Sequence, residues 1–321
     1  MSDILPPAVD EPTQTKVNPA TIPTVAKTAP LAAKPVARPI PQKAGVAQPA
    51  PISLPKIFTM GQIKLKPRSR VLAIGEPGTG KTVFGLMMPS PLIFDMDNNI
   101  VGPINFLQKH GLLTQEQMDD TIIVNPFLDE NGDLQPRVNR WRALTRTLTF
   151  VFNEIKAGRM KPRKTLFLDS LTALATAAMD EVRRQEGKTI GDVMSDKTQD
   201  EQFTLPDFGR LASLLSQFFI ALSAYDMHLY VSAHTQDIER DDKSMKTFIA
   251  CPGSFKEAVS GMFTEAWKFT RESSGPPGQL VDKCYIQTVG GNKLQKLGLK
   301  SALQLGSRIE VDLKKVKEIF K

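Results

Sequence analysis

The chain has 321 residues, with 41 Lys and Arg against 34 Asp and Glu; at 41% hydrophobic and 23% charged it holds ample apolar material for a core. Two cysteines, Cys251 and Cys284, cannot build a disulfide framework and lack the paired spacing of a zinc site, so they read as reduced thiols of a cytoplasmic protein. No stretch approaches the roughly 18 uninterrupted apolar residues of a membrane helix, and the start carries Asp3 without an apolar run, so neither a membrane partner nor a secretory signal is expected.

The charge is unevenly placed. Residues 1–55 carry a net +2 and residues 293–321 a net +5, which leaves the middle, 56–292, at zero. Basic ends point to a polyanion partner, or simply keep the chain in solution. The first 55 residues also hold half of the 24 prolines, and no aromatic residue precedes Phe58. Such a segment cannot bury enough surface to offset its ordering entropy. It is expected to be a disordered Pro/Ala-rich tail, partly polyproline II, serving either as a tether for a protein partner or as an inert extension.

Beyond the tail, apolar runs alternate with helical patterns. Strands are predicted at Arg70–Ile74, Leu92–Met96, Thr121–Val124 and Thr165–Asp169, then at His228–Ala233, Glu265–Phe269 and Lys283–Thr288. Helices are predicted at Lys81–Met88, Arg140–Ala157, Leu171–Gln185 and Phe208–Tyr225. Three of the strands are apolar without alternation, as parallel strands covered on both faces should be. The expected fold of residues 56–292 is therefore α/β, a mainly parallel sheet flanked by helices. Residues 293–321 read as a basic C-terminal extension, closed by a short amphipathic helix on the spacing of Leu313, Val316 and Phe320.

Directly after the first apolar run comes Gly75-Glu76-Pro77-Gly78-Thr79-Gly80-Lys81-Thr82, followed by Val83 and a helical stretch. This is a phosphate-binding loop in full. Its glycines let the main chain approach phosphates, and its amides, with the helix start, make an anion-binding concavity. Lys81 is placed to reach the β- and γ-phosphates, and the Thr82 hydroxyl to ligate Mg²⁺. The fourth strand ends in Asp169-Ser170. Asp169 is the candidate second metal-organising acid, with capping of the following helix as the other reading.

Hydrolysis needs a group that orients water. Asp95 and Asp97 close the second strand one residue apart, and period-two alternation would turn both toward the crevice at the strand tips; a polar turn is the alternative. His234 and Gln236 end another strand and suit a γ-phosphate sensor, although a His at a strand end is more often a surface residue.

This order of elements resembles the RecA-like P-loop ATPases over about residues 64–288, and most of all the AAA-domain nucleotide-binding proteins of bacteriophages, some of which are single-strand annealing or recombination ATPases. The resemblance implies ATP and Mg²⁺ as cofactors, a homo-oligomer, single-stranded DNA as partner, and the host cytoplasm as the place of action. It puts Asp97 where those proteins carry a catalytic Glu. It makes the segment from Asp237 to Pro252, with Arg240, Lys243 and Lys246, a mobile DNA-contacting loop. It also offers Lys293, Lys296 and Lys300 as basic residues completing a neighbouring subunit's site, against a solvated lysine face. Two other functions stay open. One is a P-loop kinase, for which the arginines Arg137, Arg140, Arg142 and Arg146 would have to form a lid rather than a solvated helix face. The other is a nucleotide-gated assembly or packaging factor that does not turn over.

Overall fold

The computed structural model describes residues 68–191, 202–239, 243, 245–274, 281–289, 297–303 and 305–320. The Pro/Ala-rich tail, Arg240, Lys293 and Lys296 lie outside these residues. In chain order the elements are β1 (Arg70–Ile74), α1 (Lys81–Leu86), β2 (Pro91–Asp95), α2 (Val101–Lys109), α3 (Gln115–Asp119), β3 (Ile122–Val124) and α4 (Arg137–Lys156). There follow β4 (Thr165–Asp169), α5 (Leu171–Gln185), α6 (Leu205–Leu222), β5 (His228–Ala233), β6 (Thr235–Glu239), β7 (Met245–Ile249) and α7 (Phe255–Ala258). The chain closes with β8 (Glu265–Ser274), β9 (Val281–Gln287), β10 (Lys300–Ser301), β11 (Arg308–Glu310) and α8 (Val316–Ile319).

The main sheet runs β11-β9-β8-β1-β5-β4-β2-β3, with β10 pairing β8. The strands from β8 to β3 are parallel, while β9, β10 and β11 join antiparallel. The parallel core explains the unbroken apolar runs. Leu72, Ile74, Leu166, Leu168 and Val231 point to one face, where α4, α5 and α6 cover them. Val71, Ala73, Phe167 and Tyr230 point to the other and pack on Phe84 of α1. Alternation survives as a choice of face, but both faces are dry. Among the described residues no helix is long and apolar enough to cross a membrane.

α4 buries Trp141, Leu144, Leu148, Val151 and Phe152 along one stripe. Its arginines divide: Arg137 and Arg140 are half-buried, while Arg142 and Arg146 are exposed, as in the expected solvated face. Arg137 donates to the buried Asp180 of α5 at 2.7 and 2.9 Å, and Arg142 lies 3.8 Å from Glu181. These arginines tie two helices together.

Three helices, α2, α3 and the single turn α7, go beyond the sequence expectation. In α2, Gly102 and Pro103 look like breakers, but Pro103 sits in the first turn, where its missing N–H has no helical partner to lose. α3 opens on a capping box between Thr114 and Gln117. The segment expected as a mobile loop contains an antiparallel ribbon, β6 on β7, with Thr235 opposite Ile249 and Ile238 opposite Lys246. Its turn holds Lys243 at φ 59°. The ribbon's base is fixed to α5 by the Thr172 hydroxyl, which donates to the Ala250 carbonyl at 3.2 Å.

The described part of 293–321 is built into the sheet rather than appended to it. β10 and β11 add to the antiparallel side, and Val316 and Phe320 enter the cluster around Phe84 and Trp267. The link is Glu265, a fully buried carboxylate that accepts from Trp267 Nε1 at 2.9 Å and from the amides of Ala302 at 2.7 Å and Leu303 at 2.9 Å. Glu265→Ala leaves the buried Trp267 Nε1 and the amides of Ala302 and Leu303 without their acceptor. It should lower the unfolding free energy by about 3 kcal/mol in urea titration. A loss below about 1 kcal/mol would remove Glu265 as the anchor of the C-terminal segment.

Candidate nucleotide site

The loop between β1 and α1 is held from both sides. The Gly75 amide donates to the Ala233 carbonyl at 3.1 Å, and a Cβ on Gly75 would stand 2.6 Å from the Phe269 carbonyl oxygen. Gly80 has φ +92°, and a Cβ there would meet the Cys284 Sγ at 3.2 Å. Glycine is therefore required at 75 by space and at 80 by both space and backbone conformation. Thr79 donates its hydroxyl to the Glu76 carbonyl at 2.8 Å, and the buried Tyr230 hydroxyl donates to the Lys81 carbonyl at 2.8 Å. The loop is clamped to its neighbours while Glu76, Pro77 and Gly78 remain exposed.

Lys81 is 5% exposed, and its ammonium donates to the carbonyls of Gly75 at 2.8 Å and Glu76 at 2.7 Å. Burial lowers its pKa to about 8, against the opposing pull of Asp169, Asp97 and Glu76. It stays largely protonated at pH 7, as a buried cation with no carboxylate in direct contact. A polyanion is the partner that would offset this desolvation.

Asp169 closes β4, two strands from β1, with β5 between them. The Thr82 hydroxyl donates to its Oδ2 at 2.8 Å, and the Ser232 hydroxyl of β5 donates to Oδ1. Burial raises the Asp169 pKa, these two hydrogen bonds oppose it, and the charges of Asp97 and Asp95 raise it further. Three carboxylates thus share one end of the sheet. A divalent cation relieves such crowding, and the adjoining oxygens of Thr82 and Asp169 suit Mg²⁺, which takes few protein oxygens and completes its shell with phosphate and water. No cluster of three or more His, Cys, Asp or Glu arranged to hold a metal by themselves occurs among the described residues.

The two acids after β2 separate. The strand ends at Asp95, whose buried carboxylate accepts from the amides of Asn99 and Ile100, both at 3.3 Å, and so caps the turn into α2. The expectation that both acids face the crevice does not hold for Asp95. Asp97 lies in the turn itself, which is pinned to the tip of β4 by Met96 and Asp97 amides donating to the Asp169 carbonyl at 2.7 and 3.3 Å. Asp97 Oδ2 stands 3.8 Å from His234 Nε2 at the end of β5, too far for a direct hydrogen bond. His234 Nδ1 is buried with no hydrogen-bond partner among the described residues.

A cleft of about 790 Å³ opens over the loop, lined by Gly78, Gly80, Lys81, Thr82, Val83, Asp169 and His234. Its far walls were not anticipated: Asn99, Pro103, Phe106 and His110 on one side, and residues of β8, β9 and the C-terminal segment on the other. Gln236 lies on the ribbon, exposed and outside this lining. Lys300 pairs with Ala266, level with Leu72 in mid-strand, away from the tip of its own β1. Lys243 and Lys246 lie on the ribbon.

Residues 68–274 match the model of the AAA domain family, 207 of the chain's 321 residues and the whole span from β1 through β8. The chain belongs to the AAA domain family. The AAA match includes the loop, Asp97, Asp169 and His234, and it ends before β9, so Cys284 and the C-terminal wall lie beyond it. Among solved structures, the flagellar accessory protein FlaH from Methanocaldococcus jannaschii is similar at 12% identity and a TM-score of 0.38, covering 75% of this chain and 84% of its own. A search of the curated proteins finds no match.

Proposed function

We propose that this AAA-domain chain is a Mg²⁺-dependent, RecA-like ATPase of phage type that acts on single-stranded DNA in recombination, replication or repair, working as a homo-oligomer in the host cytoplasm. The observation that carries the ATP part is the convergence of Lys81, Thr82 and Asp169 on one cleft beside the loop amides, with Asp97 in the turn pinned to the Asp169 carbonyl. Thr82 and Asp169 would hold Mg²⁺, which would supply charge neutralisation to the phosphates. The loop N–H groups and Lys81 bind and orient the triphosphate. Asp97 holds the attacking water, and its place beside His234 couples that step to the base of the ribbon. The DNA part is supported by the ribbon that springs from His234 with Lys243 and Lys246, and by the basic ends of the chain.

Arg137 is engaged with Asp180 and Arg142 lies near Glu181, which counts against a lid built from the α4 arginines. The non-hydrolysing assembly factor keeps one observation in its favour, an acid at 97 that is one methylene shorter than Glu. Phosphate release from Mg·ATP, with and without single-stranded DNA, separates them. Stimulation of about tenfold or more by single-stranded over duplex DNA is expected, with binding that weakens as salt rises through counterion release. Tight ATP binding without release would favour the assembly factor. Release unaffected by any nucleic acid would leave an ATPase with a different partner.

A further inference from the structure

Resting on the nucleotide reading above, we propose that α2 and the C-terminal segment form a two-walled slot for the nucleobase, with Phe106 and His110 on one side and Val311 and Leu313 on the other. All four line the same cleft as Lys81 and Thr82. At about 790 Å³ the cleft has room for a whole nucleotide, and only its loop end carries the phosphate-binding groups. The remainder mixes apolar side chains, Phe106, Phe269, Val311 and Leu313 among them, with charged pairs.

Phe106 is 45% exposed, a large apolar ring left open inside a cleft. It packs against His110, one helical turn on, with ring centroids 4.3 Å apart and planes at 37°. His110 Nδ1 donates to the Phe106 carbonyl at 2.8 Å, which sets the imidazole's orientation and leaves Nε2 as an acceptor in the neutral ring. Two flat faces held in this way suit a planar heterocycle, and every base has a π-face to offer.

The opposite wall is equally fixed. The Val311 amide donates to the Cys284 carbonyl at 2.8 Å, directly after β11 pairs with β9, and Glu265 anchors the segment upstream. Val311 and Leu313 are half-buried, so part of each remains available for contact. The pairs Arg271–Asp282 and Lys283–Glu310 also line the cleft and offer donors and acceptors toward a base edge or ribose. The C-terminal wall lies outside residues 68–274. Phe106 and His110 lie within them, so the slot joins the matched domain to the segment that follows it.

The test compares Mg·ATP with Mg·tripolyphosphate by calorimetric titration of the full chain and of Phe106→Ala, Leu313→Ala and Lys81→Ala. Wild type should prefer ATP. Phe106→Ala and Leu313→Ala should each weaken ATP about tenfold while tripolyphosphate binding stays within about twofold, and Phe106→Tyr should restore ATP affinity. Lys81→Ala should weaken both ligands. If both slot variants bind ATP as wild type does while Lys81→Ala does not, the slot is wrong and the nucleotide reading stands. If Lys81→Ala changes neither ligand, the nucleotide reading itself falls, and the slot with it.

Discussion

Lys81→Ala should weaken Mg·ATP binding by about two to three orders of magnitude and abolish turnover, because it removes an ammonium buried beneath the loop. The same residue sets a pH signature. Its pKa in the free protein is about 8, and a bound triphosphate raises it. Protonation that is stronger in the complex favours binding below the free value and is lost as pH rises through the bound value. Affinity should therefore be flat up to about pH 8 and then weaken by up to about tenfold per pH unit, until the lysine of the complex also titrates. Lys81→Arg keeps the charge but moves its titration out of range, so any binding it retains should lose this slope. Folding responds with the opposite sense. A lysine whose pKa is depressed on folding costs stability while protonated, so its contribution improves as pH rises from about 8 toward 10.5. Calorimetry across pH 7 to 10, together with a melt series, reads both effects. An affinity that does not change over this interval would take Lys81 out of contact with the phosphates.

What the sequence made legible was whatever is encoded locally. The loop is a contiguous string whose glycines are required by backbone angle or by the approach of Phe269 and Cys284, so its pattern and its geometry coincide. The parallel strands show as unbroken apolar runs because both faces are covered, by α4, α5 and α6 on one side and by α1 on the other. Asp169 follows from the same logic, as a carboxylate closing a buried run. The roles of Asp95 and Asp97 could not be divided this way. Alternation holds only while the strand lasts, and here it ends at Asp95, with Asn98 at φ 53° carrying the chain into a turn that Asp95 caps. α2 was hidden by a Gly-Pro pair that harms a helix interior but not its first turn. The β6–β7 ribbon was hidden by charged residues in both strands, which read as loop until their partners are known. The least legible part is the C-terminal wall. β10 and β11 are two and three residues long, and what holds them is a distant buried carboxylate and pairing with β8 and β9. Such contacts leave no periodic trace. The exposed Phe106 and its neighbour His110 did carry a signal, an aromatic pair at i and i+4, but it gains meaning only once the cleft is seen.

Asp97→Asn should reduce the rate of phosphate release by about two to four orders of magnitude while leaving Mg·ATP affinity within about threefold. The geometry separates the two effects. In the proposed reading, phosphate binding rests on the loop amides, Lys81 and the Thr82–Asp169 couple, whereas Asp97 approaches this group through backbone contacts to Asp169 and through the charge it places near Lys81. Asparagine keeps the size and the backbone path of the turn and removes only the carboxylate that can take a water proton. Asp169→Asn behaves differently: it alters the acceptor shared by Thr82 and Ser232 and should weaken metal-dependent binding as well as turnover. Asp97→Glu restores the missing methylene; if reach limits the reaction, its turnover should equal or exceed wild type. His234→Gln tests the neighbour across 3.8 Å: it should lower turnover and any stimulation by single-stranded DNA together, since His234 ends β5 and opens onto the ribbon. Full turnover in Asp97→Asn would move the base elsewhere. The remaining acid on that turn, Asp95, is committed to the amides of Asn99 and Ile100, which makes the exposed Glu76 of the loop the next acid to substitute.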